Sequence, residues 1–540
     1  MGSVDATIEK LNRKLGSNVK TAFVAGIVIG LAAHLSIMVQ DIPNHDGLDS
    51  IYFDQNMITS GRWFLSAACG VSSFFSLPWM IGILSILYLA LAAAFSVDLL
   101  EIKGRVSSAL LAGLMVSFPV LASNFAYVFT MDGYMLGLLL CIVAVWLVKK
   151  GRFGFIAGGV VLAFGMGTYQ SYLSVTMLLT LYMILRCLAE EEKPRKRAVM
   201  VGKYFGMGAI GVALYYVILK LLLAIEGKTL DTYQGINGMA DGNGLSLAGT
   251  VKLMYTDFVS FSVKGHVAVP NICAAVMAVV LLIAAIVSVF AVGSRSGLMK
   301  KPLFIVTIIA AVLLIPAITN AILLISANVT YHVLMRYQWV VFGMVAISLV
   351  EWGRSVKTST AAETKAGKKA GVGGLGHKSA MSGKVMDICE WAMAIAVLVL
   401  IVNYIAVDNI AYSNLNKKYE KTYAYCLRLV DRIEQTEGYY QGIPIAMVGV
   451  VGEDNFPVTD VTGDVTGSLL GISGDYLLYK GENYQRFIKH YLGATLNILP
   501  DTYVSKFYND PMYAAMPSFP DDGSIVVSDG VMYIKTENIR

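Results

Sequence analysis

The chain has 540 residues, of which 56% are apolar and 15% charged, with a formal net charge of +5 and a mean hydropathy of +0.63. Soluble domains carry about 25% charged residues, so this composition excludes a soluble enzyme and points to a polytopic membrane protein. Six cysteines exclude a disulfide scaffold, and the high apolar fraction excludes a mainly disordered chain.

A helix that crosses a bilayer needs about 20 mostly apolar residues. About eleven such stretches are expected, near 21–40, 79–98, 106–124, 134–148, 154–170, 171–188, 204–224, 270–292, 303–325, 333–350 and 385–406. Gly165, Gly167 and Tyr169-Gln170 interrupt the fifth and sixth. The first run is too long for a signal h-region, so no cleavable leader is expected.

Basic residues set the orientation. With the N-terminus inside, alternate connections carry Lys103 and Arg105, then Lys149, Lys150 and Arg152, then Arg195, Lys196 and Arg197, then Arg295, Lys300 and Lys301. The opposite connections carry few, which is the positive-inside pattern. With an odd number of spans the tail lies outside. The expected organisation is a membrane region over 1–350 with outer loops at 41–78 and 225–269, a linker at 351–384, a last span at 385–406 and an extracytoplasmic domain at 407–540.

The linker is rich in Lys, Gly, Ala, Ser and Thr without an apolar pattern, and reads as a flexible basic cytoplasmic connector. In the tail, Leu415, Tyr419, Cys426, Leu427, Val430 and Ile433 recur at helical spacing between Asn414 and Glu437. Ile443 to Val451 reads as a short strand. Ile525–Ser528 and Val531–Lys535 read as a hairpin, because Asp529-Gly530 suits a type I′ turn. The fold class is therefore an α-helical polytopic membrane protein with a small C-terminal α/β domain.

The first outer loop is the densest in ionisable groups: Asp41, His45, Asp46, Asp49 and Asp54 follow the first span, with Gly61-Arg62-Trp63 beyond them. A carboxylate there can accept the proton of an attacking hydroxyl, and a second can orient an acceptor or hold a divalent cation. The plainer alternative is a solvated loop with Asp49 as a helix cap. His45-Asp46 also raises zinc, against which no further His or Cys stands nearby.

Other features fall on the same side. Asp132 lies in a very short connection, Tyr169-Gln170-Ser171-Tyr172 ends the fifth span, and Tyr331-His332 with Arg336 begins the tenth. Lys220 and Arg336 are cations at membrane depth, where charge is costly and usually functional. Against that, Lys220 can snorkel to headgroups, Arg336 can pair with an interior acid, and the aromatics can form an interfacial belt. Together, cations for phosphate, aromatics for a sugar face and a carboxylate base fit a lipid-linked anionic substrate. An ion carrier more often places its acids mid-membrane on broken helices.

The segment Asn44-His45-Asp46-Gly47-Leu48-Asp49 followed by Gly61-Arg62-Trp63 resembles the start of the type II serotype-converting glucosyltransferases, a bacterial family with the multi-pass GT-C fold. Thr168–Leu173, Arg336-Tyr337, Asn416, Tyr419, Asp431–Glu434 and the final hairpin fit that resemblance. It implies a GT-C-like catalytic region over 1–350. It also implies an inverting transfer of a sugar, glucose above all, from a polyprenyl-phosphate donor to a cell-envelope glycan on the outer face of the bacterial cytoplasmic membrane.

An upstream polyprenyl-phosphate glycosyltransferase and a flippase would supply the donor. The resemblance points to Asp46 first and Asp49 next as the essential carboxylate, with Asp132 as a second-loop acid. Lys220, Arg336 and Arg62 are the candidates for the lipid phosphate, by position. His45, Trp63, Tyr169, Gln170 and His332 are the candidates for sugar or acceptor. Metal dependence stays open; a Mg or Mn ion, if used, would sit on Asp46 and Asp49. Nothing points to nucleic acid. The competing readings are a transporter or flippase of lipid-linked glycans and a non-catalytic envelope assembly protein.

Overall fold

The computed structural model describes the chain except residues 1–2, 50, 52–53, 73–74, 192, 232–245, 326–328, 367–374, 449–464, 473, 475, 508–509 and 537–540, together with a few side chains inside helices. Helix dominates because hydrocarbon offers the backbone no hydrogen-bond partner, so each apolar segment must satisfy its own N–H and C=O groups. Among the described residues, eight helices are long and apolar enough to cross a membrane and three apolar helices are shorter. Together they occupy the eleven apolar stretches of the sequence.

In chain order, α1 spans Ser17–Met38, α2 His45–Asp49, α3 Pro78–Leu99 and α4 Arg105–Ser117. Helices α5 (Met131–Val148), α6 (Gly154–Thr168) and α7 (Leu173–Glu190) follow, then α8 (Pro194–Glu226), α9 (Leu247–Val263) and α10 (Ile272–Arg295). The membrane part closes with α11 (Pro302–Thr319), α12 (Val340–Ala366) and α13 (Leu375–Gln435). Helix α1 packs on α3 and α4, α3 on α5, α5 on α6, and α6 on α8, while α10, α12 and α13 form a second group. Large apolar side chains cover the outside, including Val217 and Leu221 on α8, Ile283 and Phe290 on α10, and Val306 and Val312 on α11. Water would penalise such a surface and lipid does not. The chain is a membrane protein.

The basic connections gather at one end. Asn18 Nδ2 donates to the Ile102 carbonyl at 2.5 Å, Arg186 pairs with Glu101 at 2.8 Å, and Lys149 also pairs with Glu101. The first loop and the C-terminal tail meet at the other end.

Three differences from the sequence expectation have physical causes. The loop expected at 225–269 contains α9, which packs against α11; its residues 232–245 lie outside the described part. Within the linker expected at 351–384, α12 and α13 extend inward from both sides, leaving 367–374 outside the described residues. No break separates the last span from the tail. Helix α13 runs 61 residues, from the membrane through the amphipathic stretch, since no Gly or Pro interrupts it between Lys384 and Gln435.

Among its described residues the tail carries a four-stranded sheet in the order β2-β1-β4-β3, with β1 at Pro444–Val448, β2 at Asn497–Ile498, β3 at Ile525–Ser528 and β4 at Val531–Lys535. Strand β1 is parallel to both β2 and β4, and β3 pairs antiparallel with β4. The hairpin turn is Asp529-Gly530, at φ of 51° and 76°, the left-handed pair that a type I′ turn requires.

Candidate functional site

The site begins with the short helix α2. The Asn44 side chain accepts from the Asp46 N–H at 2.8 Å and starts the turn, while buried Leu48 anchors it. This presents His45, Asp46 and Asp49. His45 Nε2 lies 3.5 Å from Asp46 Oδ1, and the Asp46 side chain is 53% exposed, which leaves it reachable. Burial holds the His45 imidazole below its ordinary value against the pull of Asp46 and Asp49, so it is neutral at pH 7.

The Gly61-Arg62 turn is clamped from two membrane helices. Gln170 Nε2 donates to the Ser60 carbonyl at 2.9 Å, and Tyr215 Oη donates to the Gly61 carbonyl at 3.0 Å. Gly61 has φ of 75°, a conformation that costs other residues about 1–2 kcal/mol. The clamp aims Arg62, whose Nη1 donates to Tyr134 Oη at 3.1 Å and whose guanidinium lies 5.2 Å from the Tyr169 ring centre. Tyr134 and Tyr169 are themselves stacked at 4.4 Å.

These groups border one cavity of about 650 Å³. Its wall includes His45, Asp46 and Asp49 from α2, Arg62 from the turn, Tyr169 and Gln170 from the end of α6, and His332. Burial and Arg336 lower the His332 value while Asp46 raises it, with burial the largest influence. Ile322, Val329, Leu334 and Met335 give it an apolar side.

Four expected site residues stand elsewhere. Arg336 is 8% exposed and makes a two-pronged ion pair with Asp257 of α9 at 2.7 and 2.8 Å, so its guanidinium is engaged by a protein carboxylate rather than aimed into the cavity. Lys220 is exposed on the outer side of α8, 5.4 Å from the Tyr216 ring, as a snorkelling lysine would be. Trp63 is wedged against Phe164 and Gly167. Asp132 is buried, accepting from the Ser72 hydroxyl and from the Gly133 N–H at 2.9 Å. Among the described residues, no group of three or more His, Cys, Asp or Glu side chains is placed to hold a metal ion.

The sequence reading missed several contributors. Asp231 lines the cavity, brought there by its N–H donating to the Thr59 carbonyl at 2.9 Å; it was visible as a loop acid, but no spacing ties it to residue 59. Asp257 lay hidden inside a helix not expected. Away from the cavity, Asp408, just past the expected end of the last span, is fully buried, and neither carboxyl oxygen is hydrogen-bonded among the described residues.

The tail also reaches the site. Its helix α14 spans Gly481–Phe487. Arg486 pairs with Asp49, Asn483 Nδ2 donates to the His45 carbonyl at 3.4 Å, and the Tyr479 ring meets His45 edge-on at 4.9 Å. Burial and Asp46 push Tyr479 up to about 12, so it stays a hydroxyl. Gly471 completes the cavity wall, held there because Lys418 and Thr422 of α13 bind the Ile472 carbonyl and the Leu477 N–H at 2.6 and 2.9 Å.

A profile of the glucosyl transferase GtrII family matches residues 35–349. The chain belongs to that family. The match runs from the end of α1 to within α12, taking in α2, the clamped turn and His332, while Gly471, Tyr479 and Arg486 lie beyond it. Membership makes the chain a glycosyltransferase, as the resemblance implied. No curated protein and no solved structure matches it.

Proposed function

We propose that the chain moves glucose from a polyprenyl-phosphate donor to a cell-envelope glycan at the outer face of the bacterial cytoplasmic membrane, with inversion. The observation that carries this reading is the single 650 Å³ cavity bringing Asp46, Asp49, His45, Arg62 and Gln170 together at one end of the apolar bundle, opposite the basic connections that positive-inside placement puts in the cytoplasm.

The chemistry follows from the groups present. Asp46, which lies beside neutral His45 while Asp49 is paired with Arg486, accepts the proton of an acceptor hydroxyl as that oxygen attacks the anomeric carbon. The new C–O bond forms while the bond from that carbon to the phosphate oxygen breaks, and the electron pair leaves with the polyprenyl phosphate. Arg62 is the cation in the cavity wall that stabilises the phosphate's charge. Buried Tyr169, stacked on Tyr134 and in contact with the Arg62 guanidinium, fixes that cation in the wall, and Gln170 holds the turn carrying Arg62. Neutral His45 and His332 donate or accept hydrogen bonds to hydroxyls without adding charge. Asp49, tied to Arg486, is the second carboxylate of the loop. Lys220, Arg336, Trp63 and Asp132 stand outside this arrangement.

The test is transfer from polyprenyl-phosphate glucose by purified protein in detergent, with envelope glycan of the host as acceptor. Wild type transfers, and Asp46→Asn lowers transfer at least a hundredfold while remaining monodisperse. Consumption of a different lipid-linked sugar removes glucose from the reading. Equal turnover by wild type and Asp46→Asn removes the carboxylate mechanism.

A further inference from the structure

Beside the main cavity lies a second hollow of about 360 Å³, and the two share Asp49 as a wall. On one side the small hollow is bounded by Leu48, Asp49 and Ile51 of the first loop. On the other it is bounded by Glu482, Gln485, Arg486, Lys489 and His490 of the tail. Residues 482, 485, 486 and 489 recur at three- and four-residue spacing, so α14 and the turn after it present one polar face to the first loop.

The two hollows differ in chemistry. The larger has an apolar side, whereas the smaller is lined mostly by groups that donate or accept hydrogen bonds. An isoprenoid chain gains nothing in the smaller one, because its walls would lose water without replacing those bonds. A polyhydroxylated chain satisfies them: the Gln485 amide both donates and accepts, Lys489 donates, and the Glu482 carboxylate accepts.

We propose that this hollow is the acceptor subsite, taking the sugar units that flank the modified residue of a hydrophilic glycan. The reacting hydroxyl is then delivered past Asp49 into the main cavity. This rests on the glycosyltransferase reading above. It gives the tail a task in substrate choice, since the acceptor is held between the family-matched first loop and a domain beyond the match. Gln485 and Lys489 become specificity-determining residues, and Arg486 a positioning residue that braces Asp49 between the two hollows.

The test is the double variant Gln485→Ala/Lys489→Ala, which changes two side chains of the hollow that make no hydrogen bond or ion pair to the first loop among the described residues. Oligosaccharides cut from the host's envelope glycan serve as acceptor and polyprenyl-phosphate glucose as donor. The KM for acceptor rises about tenfold, while the KM for donor and the slow hydrolysis of donor by water stay as in wild type. Direct binding of the same oligosaccharides without donor weakens by a similar factor. A parallel loss of donor hydrolysis assigns the effect to the active site as a whole and overturns the subsite. Unchanged acceptor KM and binding, in protein whose wild type transfers sugar, overturn it as well. If wild type transfers nothing, the glycosyltransferase mechanism fails; binding weakened by the double variant would still mark the hollow as a glycan site.

Discussion

Removing the Asp257 carboxylate is expected to unfold the molecule around Arg336. Arg336 is 8% exposed, and its guanidinium donates two short, parallel hydrogen bonds to the Asp257 carboxylate of α9 at 2.7 and 2.8 Å. Its Cζ lies 3.7 Å from the Tyr331 ring centre and 4.6 Å from that of Phe261, so it is flanked by rings as well as paired. Asp257→Ala strips the partner and leaves a buried cation, at a cost of about 3–5 kcal/mol. Arg336→Met alone leaves a carboxylate that is 21% exposed in the native pair and closer to water, so it costs less. The pair Asp257→Leu/Arg336→Met removes both charges and is expected to return to within about 1–2 kcal/mol of wild type. Thermal unfolding in detergent, followed by size-exclusion recovery, measures all three, and glucose transfer is assayed on each. A stable Asp257→Ala variant would refute the buried-pair argument. A double variant that is stable but transfers a hundredfold more slowly would return Arg336 to the donor phosphate.

Four further outcomes are expected. Gly61→Ala places a Cβ 2.5 Å from Gln170 Nε2 and 2.7 Å from Tyr215 Oη in a left-handed backbone; thermal unfolding should show a loss of about 2–3 kcal/mol, with transfer reduced as Arg62 shifts. Gly167→Ala drives a Cβ to 2.5 Å from the Trp63 indole, costing about 1–3 kcal/mol, and Trp63→Leu should relieve it in the double variant. Asp408→Leu is expected to raise the unfolding temperature, because it removes a fully buried carboxyl with no hydrogen-bond partner; a lower temperature would mean the carboxyl is bound by something in the folded protein. Finally, the folded values of His45 and His332 lie below the ordinary 6.5, so the unfolded chain takes up protons first. Their contribution is whole above pH 6.5 and is lost as pH falls toward the folded values; His45→Gln/His332→Gln should flatten the decline in unfolding temperature between pH 6.5 and 5.

The membrane helices were legible because lipid leaves an apolar segment no other backbone solution, and the hairpin because Asp529-Gly530 is stereochemically committed. The first loop was legible by charge density alone. What was lost depended on distance in sequence. Arg486 meets Asp49 across 437 positions, and no periodicity in either segment encodes that meeting. Arg336 was placed as a candidate for the lipid phosphate, with an interior acid as the alternative partner; that acid could not be named because it sits on α9, in a stretch taken for loop. Its apolar face is matched to Trp339 and Phe342, a complementarity visible only once the helices are packed. The length of α13 was available as the absence of Gly and Pro, but the change from lipid-facing to domain-facing composition at residue 407 read as a boundary.

That helix makes the tail and the membrane mechanically one object. The part of α13 beyond residue 406 extends about 44 Å at 1.5 Å per residue, with no proline or glycine to act as a hinge. A rigid rod converts angle into displacement: a tilt of about 5° at the membrane moves its far end by about 4 Å. Gly471 is fastened to this rod through Lys418 and Thr422, about halfway along it, where the same tilt moves the attachment by about 2 Å. A tilt of the membrane-spanning part of α13 would therefore be carried directly to one wall of the cavity, instead of being absorbed by a linker.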